Sequence, residues 1–314
     1  MARAYATGSA WKRWQQELRP LLTMRRVRAR LAPRPYGRLP RMVVNGFPKA
    51  GTHLLVRCVL VLGGQHQVDL VYLHRRLRER VTRDSLLPPG EGVPLGIGNP
   101  TYFPTHEVER QLAGMWDGEF AAGHIPYSDV FAGLLEKHGI KSLLILRDPR
   151  DTVVSLHYFI LSHPDSSRHF HLTRTLRTPE EQLLAVINGV ETTNERGPVH
   201  LRSIGERVAS VMSWLKTPLN YTTRFERLVG PQGGGAEEAQ QAEIAGIARH
   251  LGLSLATDQV RVVGAKLFGQ GSKTFRKGQI GGWREHFKEE HKAAFKRVAG
   301  QYLIELGYER DLNW

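Results

Sequence analysis

The chain has 314 residues, 41% of them hydrophobic and 24% charged, which predicts one large or two modest globular domains with a substantial core and excludes a disordered or membrane-embedded protein. Lysine and arginine outnumber aspartate and glutamate by 44 to 30, a formal net charge of +14. Anionic partners follow from that balance: nucleotides, nucleic acid, acidic glycans or anionic lipid, among which charge alone does not choose. A single cysteine, Cys58, excludes an internal disulfide framework, and its apolar neighbours make it a small buried hydrophobe.

Residues 1–40 form a basic arm. Between Trp11 and Arg41 there are ten basic residues against Glu17 alone, without the uncharged apolar core of a secretory signal. A poorly ordered tail ahead of a domain over 41–314 is the simplest reading, and an arm that contacts a membrane surface or the acceptor is the alternative. No stretch reaches the roughly 20 apolar residues of a bilayer span; the run from Leu54 to Leu62 is broken by Arg57.

Strand-like and helix-like segments then alternate, without internal repeats. "RMVVNGF" (Arg41 to Phe47) predicts a strand, and "THLLVRCVLVL" a helix closed by Gly63 and Gly64. "GEFAAGHI" (Gly118 to Ile125) and "KSLLILR" (Lys141 to Arg147) predict further buried strands, each followed by a helix, which is the arrangement of a doubly wound parallel α/β sheet with helices on both faces. In "RDPRDTVVSLHYF", Asp148 is an expected N-cap, Pro149 the first helical residue and Asp151 the partner in a capping-box-like pair. "LRSIGERVASVMSWLK" predicts an amphipathic helix and "LNYTTRF" a strand. "GPQGGG" (Gly230 to Gly235) predicts a flexible loop, followed by mainly helical segments. These are interrupted where five glycines between Gly269 and Gly282 argue against regular structure.

The stretch "NGFPKAGTHLL" poses the chemical question. A strand, a glycine-containing loop and a helix N-terminus direct backbone N–H groups and the positive end of the helix dipole at one point, where phosphate binds. Gly46 and Gly51 have the spacing of the nucleoside-triphosphatase loop, but Thr52 and His53 follow the second glycine and the lysine, Lys49, lies inside the loop. No acidic strand end stands out to hold the Mg²⁺ that phosphoryl transfer uses. A sulfuryl group carries less charge and can be handled by lysine and backbone donors. A P-loop kinase, and a basic nucleic-acid or membrane-surface binding protein, are the rival classes.

"FPKAGTHLL" resembles the 5′-phosphosulfate loop of the cytosolic-type sulfotransferases, usually PKSGTTW, and "RDPRDTVVSLHYF" is similar to their 3′-phosphate motif. "FRKGQIGGWREHF" resembles their RKGxxGDWKNHF signature, and "GHIP" (Gly123 to Pro126) their THLP segment. The four occur in family order from Arg41 to the C-terminus. The resemblance implies a P-loop-like fold that binds 3′-phosphoadenosine 5′-phosphosulfate (PAPS) and transfers its sulfuryl group, with no metal. It also implies roles. Lys49 stabilises the leaving oxygen and binds the donor with Ala50, Gly51, Thr52 and His53. His124 is the general base. Arg147 and Ser155, 155 − 147 = 8 residues apart as in the family, clasp the 3′-phosphate with Arg276, Lys277 and Gly278. Ser155 also restrains Lys49, and Phe225 supplies an aromatic face.

Some positions depart from the pattern. Leu54 stands in place of tryptophan, His53 of threonine, Phe225 of tyrosine, Ala122 and Gly123 of lysine and threonine, and Gly282 of aspartate; adenine contacts and acceptor geometry are where these differences act. His169 and His171 lack carboxylate or cysteine companions and read as loop histidines. The acceptor is expected to be a small-molecule or glycan hydroxyl (or an amine), met by segments near Leu70 to Thr105 and Ser162 to Arg196. Nucleic acid is not expected as a partner, and a cytoplasmic location is.

Overall fold

The computed structural model describes residues 34–69, 86–268 and 278–314. Most of the predicted arm, residues 70–85 of the expected acceptor segment, and both Arg276 and Lys277 lie outside the described residues. The strands are β1 (Met42–Gly46), β2 (Gln65–Asp69), β3 (Val93–Leu95), β4 (Thr101–Phe103), β5 (Glu119–Gly123), β6 (Lys141–Leu146), β7 (Val190–Asn194), β8 (Gly197–Leu201) and β9 (Asn220–Arg224). Five make one sheet in the order β2-β5-β1-β6-β9, and every pairing in it is parallel.

Alternation along the central strands explains why helices cover both faces. Val43, Ala121, Leu144 and Leu146 enter one buried cluster with the helices Asp129–Lys137, Pro149–Leu161, Pro179–Asn188, Ile204–Met212 and Glu289–Glu305. Met42, Val44, Phe120, Leu143 and Ile145 enter the other, with the helices Thr52–Val61, Glu237–His250 and Thr257–Ala265. A strand with period two that is apolar at every position must be covered on both sides. Cys58 is fully buried in the second cluster, as its apolar setting predicts, and burial pushes its thiol up to about 12.

Sheet order also locates the crevice. The chain leaves β1 toward β2 and leaves β6 toward β9, on opposite sides, so the connections diverge where β1 and β6 lie side by side. Ligands of open α/β sheets bind outside the carboxyl ends of strands at such a divergence. Lys49 lies in the loop after β1, and His124, Arg147 and Phe225 directly follow β5, β6 and β9.

Three local expectations are corrected. Asp148 caps its helix by accepting from the Arg150 N–H (2.9 Å), but no capping box forms, because the Asp151 carboxylate accepts from the Gly281 and Trp283 N–H groups (both 2.9 Å). "GPQGGG" is not a flexible loop: Pro231–Gly233 is a 3-10 turn closed by bonds to the Gly230 carbonyl from the Gly233 and Gly235 N–H groups (3.1 and 2.9 Å). His169 and His171 belong to consecutive helical turns, Ser167–Phe170 and His171–Thr175, rather than a loop. Two antiparallel hairpins, β3–β4 and β7–β8, had no counterpart in the sequence reading. β7 is largely solvent-exposed, so it lacks the in–out alternation that marks a strand.

Candidate active site

The loop after β1 is shaped by backbone geometry that few residues tolerate. Lys49 has φ 68°, the one described non-glycine residue in left-handed space, and Gly51 has φ 95°. A Cβ at Gly51 would lie 2.8 Å from the Phe225 ring, so this position excludes a side chain by space as well as by φ. Gly51 is the N-cap of the Thr52–Val61 helix and offers no side-chain acceptor to its first turn, which leaves that end suited to an anion. At the far end Gly63 and Gly64 close the helix, donating to the Leu60 and Val59 carbonyls (3.1 and 2.8 Å).

Lys49 is half-buried. Its ammonium lies 4.1 Å from the centroid of the Phe159 ring. Burial, then the nearby Arg147 guanidinium, lower its pKa to about 8. A strained backbone, a desolvated ammonium and a neighbouring cation meet on this one residue, which makes it a candidate functional group.

Asn45 aims the segment after β5. Its fully buried amide donates to the Ile125 carbonyl and accepts from the Ile125 N–H, both at 2.8 Å. The indole of buried Trp214 donates to the same carbonyl at 3.1 Å. His124 is fixed between these anchors, with Nδ1 2.6 Å from the Gly46 carbonyl. A carbonyl only accepts, so Nδ1 carries the proton and Nε2 is left with its lone pair. Desolvation lowers the pKa of His124, the Gly46 carbonyl opposes that shift, and His53 and Lys49 add to it. A neutral imidazole with a basic Nε2 is the form a proton acceptor needs near neutrality.

Arg147 occupies the other wall. One Nη donates to the Asp151 carboxylate (3.2 Å) and to the Gln279 carbonyl (2.7 Å), and the guanidinium carbon lies 4.4 Å from the Phe225 centroid. Phe225 is buried, so its ring serves as a platform for Arg147 and for the Gly51 loop. Ser155 lies about two turns into the Pro149–Leu161 helix and is half-buried. Gly278, with φ 61°, is brought beside this wall: Arg147 binds the carbonyl of its neighbour Gln279, and its own carbonyl packs against Gly233. Behind it Arg150 is buried, chelates Asp148 through Nε and Nη (2.8 Å at closest), and lies 4.0 and 4.5 Å from the Trp283 and Trp314 rings. The C-terminal signature is thereby tied to the helix that follows β6.

Two side-chain atoms of the predicted site, Arg147 Nε and Thr52 Oγ1, are buried without a hydrogen-bond partner among the described residues. One lies on each side of the β1–β6 crevice. Buried donors without partners cost about 1–3 kcal/mol each, and a phosphorylated ligand spanning the crevice fits them. Lys49, Ala50, Gly51, Thr52 and His53 lie on the β1 side, and Arg147, Ser155, Phe225 and Gly278 on the β6–β9 side. The sequence reading missed Asn45, Phe159 and Gln279, and gave Asp151 a capping role. Asn45 alone left a signal, as a polar residue in the middle of an apolar central strand.

The chain shares its fold with a solved sulfotransferase structure. The chain is similar to a mouse sulfotransferase complexed with PAP, at a TM-score of 0.54 and 15% identity over 87% of this chain and 88% of that one. Two structures of retinol dehydratase are also similar. One, in complex with androsterone and inactive cofactor PAP, has a TM-score of 0.49 at 17% identity over 84% of this chain and 80% of that one. The other, with retinol and PAP, has 0.48 at 18% over 91% and 86%. No protein-family model matches the chain, and no curated protein matches it significantly.

Proposed function

We propose that the protein is a sulfotransferase that moves a sulfuryl group from PAPS to a hydroxyl, or an amine, of a small-molecule or glycan acceptor. The observation that carries this reading is the juxtaposition at the β1–β6 crevice of a desolvated lysine in a strained loop with an arginine whose buried Nε has no hydrogen-bond partner among the described residues. The mouse neighbour, whose fold the chain shares, is complexed with PAP.

When bound, the donor supplies the sulfuryl group and the sulfur–oxygen bond that breaks. Lys49 provides the cation beside the bridging oxygen, where negative charge grows as that bond lengthens, and the loop N–H groups converge on the same point; both favour the transition state over the ground state. His124 Nε2 receives the acceptor proton, and the Gly46 carbonyl keeps the imidazole in the required tautomer. Arg147, Ser155 and Gly278 hold the 3′-phosphate, where Nε gains the partner it lacks. Arg276 and Lys277 complete this cradle in the proposal.

Thermal-shift titration tests the reading. 3′-Phosphoadenosine 5′-phosphate is expected to raise the melting temperature at concentrations where AMP and ATP do not. Equal shifts from ATP with Mg²⁺ would favour a kinase instead.

A further inference from the structure

A cavity of about 600 Å³, within the size range of ligand pockets, opens near the segment that carries the candidate base, although His124 itself does not line it. Its walls come from the loop into β4, from the end of the Pro179–Asn188 helix with the start of β7, and from the end of β8 with the Ile204–Met212 helix. Two backbone bonds tie these walls to the segment that carries His124. The Gly96 N–H donates to the His124 carbonyl (3.0 Å), and the Tyr127 N–H donates to the Ser210 carbonyl (2.7 Å) in the helix that also bears Glu206. The segments expected to meet the acceptor thus supply two of the walls, and His200 to Arg202 with Glu206 supply a third that the sequence reading did not include.

The chemistry of the lining is unlike that of an apolar slot. Asn99, Tyr102, Asn188 and Arg202 bring two amides, a phenol and a guanidinium, and their side chains make no hydrogen bond to the protein among the described residues. Glu206 spends one carboxylate oxygen on the Ser203 N–H and hydroxyl (2.9 and 2.7 Å), and the other makes no hydrogen bond among the described residues, with the Arg202 and Arg207 charges nearby. Tyr102 is the one phenol ring in the lining, beside the His200 imidazole; Pro89, Pro100, Val190 and Leu201 are its apolar residues, and no phenylalanine, tryptophan, isoleucine or methionine contributes. Amides, a guanidinium and a carboxylate at one cavity offer paired donors and acceptors, the arrangement that matches neighbouring hydroxyls, while a single ring suffices to stack on one pyranose face.

We propose that the acceptor is hydroxyl-rich, of carbohydrate type, and docks in this cavity with the attacking hydroxyl directed to His124. The proposal rests on the sulfotransferase reading and narrows it. Asn99, Asn188 and Arg202 bind ring hydroxyls, Glu206 accepts from one, and Tyr102 stacks. One hydroxyl loses its proton to His124 Nε2 as its oxygen bonds to sulfur, and the bridging oxygen leaves with the nucleotide. The product is a sulfate ester plus 3′-phosphoadenosine 5′-phosphate.

The test uses the full chain with sulfur-labelled PAPS and four acceptors: lactose, chitohexaose, 1-naphthol and cyclohexanol. Transfer to lactose or chitohexaose, with little to the two apolar alcohols, is expected; lactose against chitohexaose separates a free sugar from a chain end. Asn99→Ala and Arg202→Ala are each expected to raise the KM for the accepted sugar about tenfold, with the thermal shift from 3′-phosphoadenosine 5′-phosphate unchanged. Transfer to 1-naphthol or cyclohexanol without transfer to either sugar overturns the proposal and leaves the sulfotransferase reading standing, as does a sugar KM that neither variant alters. Absence of any shift with 3′-phosphoadenosine 5′-phosphate removes the reading beneath it as well.

Discussion

Lys49→Ala is expected to lower the single-turnover rate of sulfuryl transfer by about 10²–10³-fold while leaving the affinity for 3′-phosphoadenosine 5′-phosphate within a few-fold, because one preorganised donor at a developing charge has about that effect. The split follows from where the residue acts. The product nucleotide has already lost the sulfur–oxygen bond whose breakage Lys49 assists, so ground-state binding reports mainly the loop N–H groups and the Arg147 wall. The structure adds a reason to expect a large effect: the ammonium is half-buried against Phe159 and desolvated to a pKa near 8, so it meets the leaving oxygen in a low-dielectric setting where charge is worth more than in water. A transfer rate within two-fold of wild type would remove Lys49 from the chemistry.

The second large effect is a bell-shaped pH dependence of kcat/KM. His124 acts only when neutral, and its pKa lies below the ordinary 6.5. Activity therefore rises as pH increases along a limb below that value and is fully developed by neutrality. Lys49 acts only when protonated, and its pKa in the free protein is about 8. Activity falls as pH rises through that value. His124→Ala is expected to cost about 10²–10⁴-fold and to flatten the acidic limb. Lys49→Arg is expected to remove the alkaline limb, because a guanidinium does not titrate in this range. An alkaline limb that survives Lys49→Arg unchanged would belong to another group.

How much of this was legible in the sequence depends on whether the signal was local. The core strands read clearly because Met42 to Val44 and Leu143 to Leu146 are continuous apolar runs, the pattern of strands covered on both faces. The loop chemistry read clearly because Gly51 and Gly63 hold backbone conformations that glycine tolerates. What the sequence did not disclose was pairing at a distance. Asp151 looked like half of a capping box because both candidate partners were neighbours in the chain, but its carboxylate serves N–H groups 130 and 132 residues away. "GPQGGG" looked flexible because glycines lack side chains to pack. Its order comes instead from Gly233 lying against Val229 and the Gly278 carbonyl, a contact only a residue without a Cβ allows. Phe159, in the motif but without a role in the sequence reading, takes one from the place where the Pro149–Leu161 helix crosses the Lys49 loop.

The same long-range ties explain why the candidate site is rigid where the chemistry needs it. Asn45 and Trp214 both hold the Ile125 carbonyl, so His124 is fixed from the next residue as well as through its own ring. Arg150, buried between two tryptophans and chelating Asp148, holds the start of the helix that follows Arg147. Groups positioned by strand ends and buried networks of this kind lose little freedom when a ligand arrives.

The central claim is that Arg147 reads the 3′-phosphate, and a thermodynamic cycle by isothermal titration tests it most directly: wild type and Arg147→Ala, each with 3′-phosphoadenosine 5′-phosphate and with AMP. The account predicts a coupling of about 1.5–3 kcal/mol between the guanidinium and that phosphate, the value of a hydrogen bond to a charged group, with AMP affinity almost unaffected by the substitution. Equal losses for the two nucleotides, and so no coupling, would contradict it.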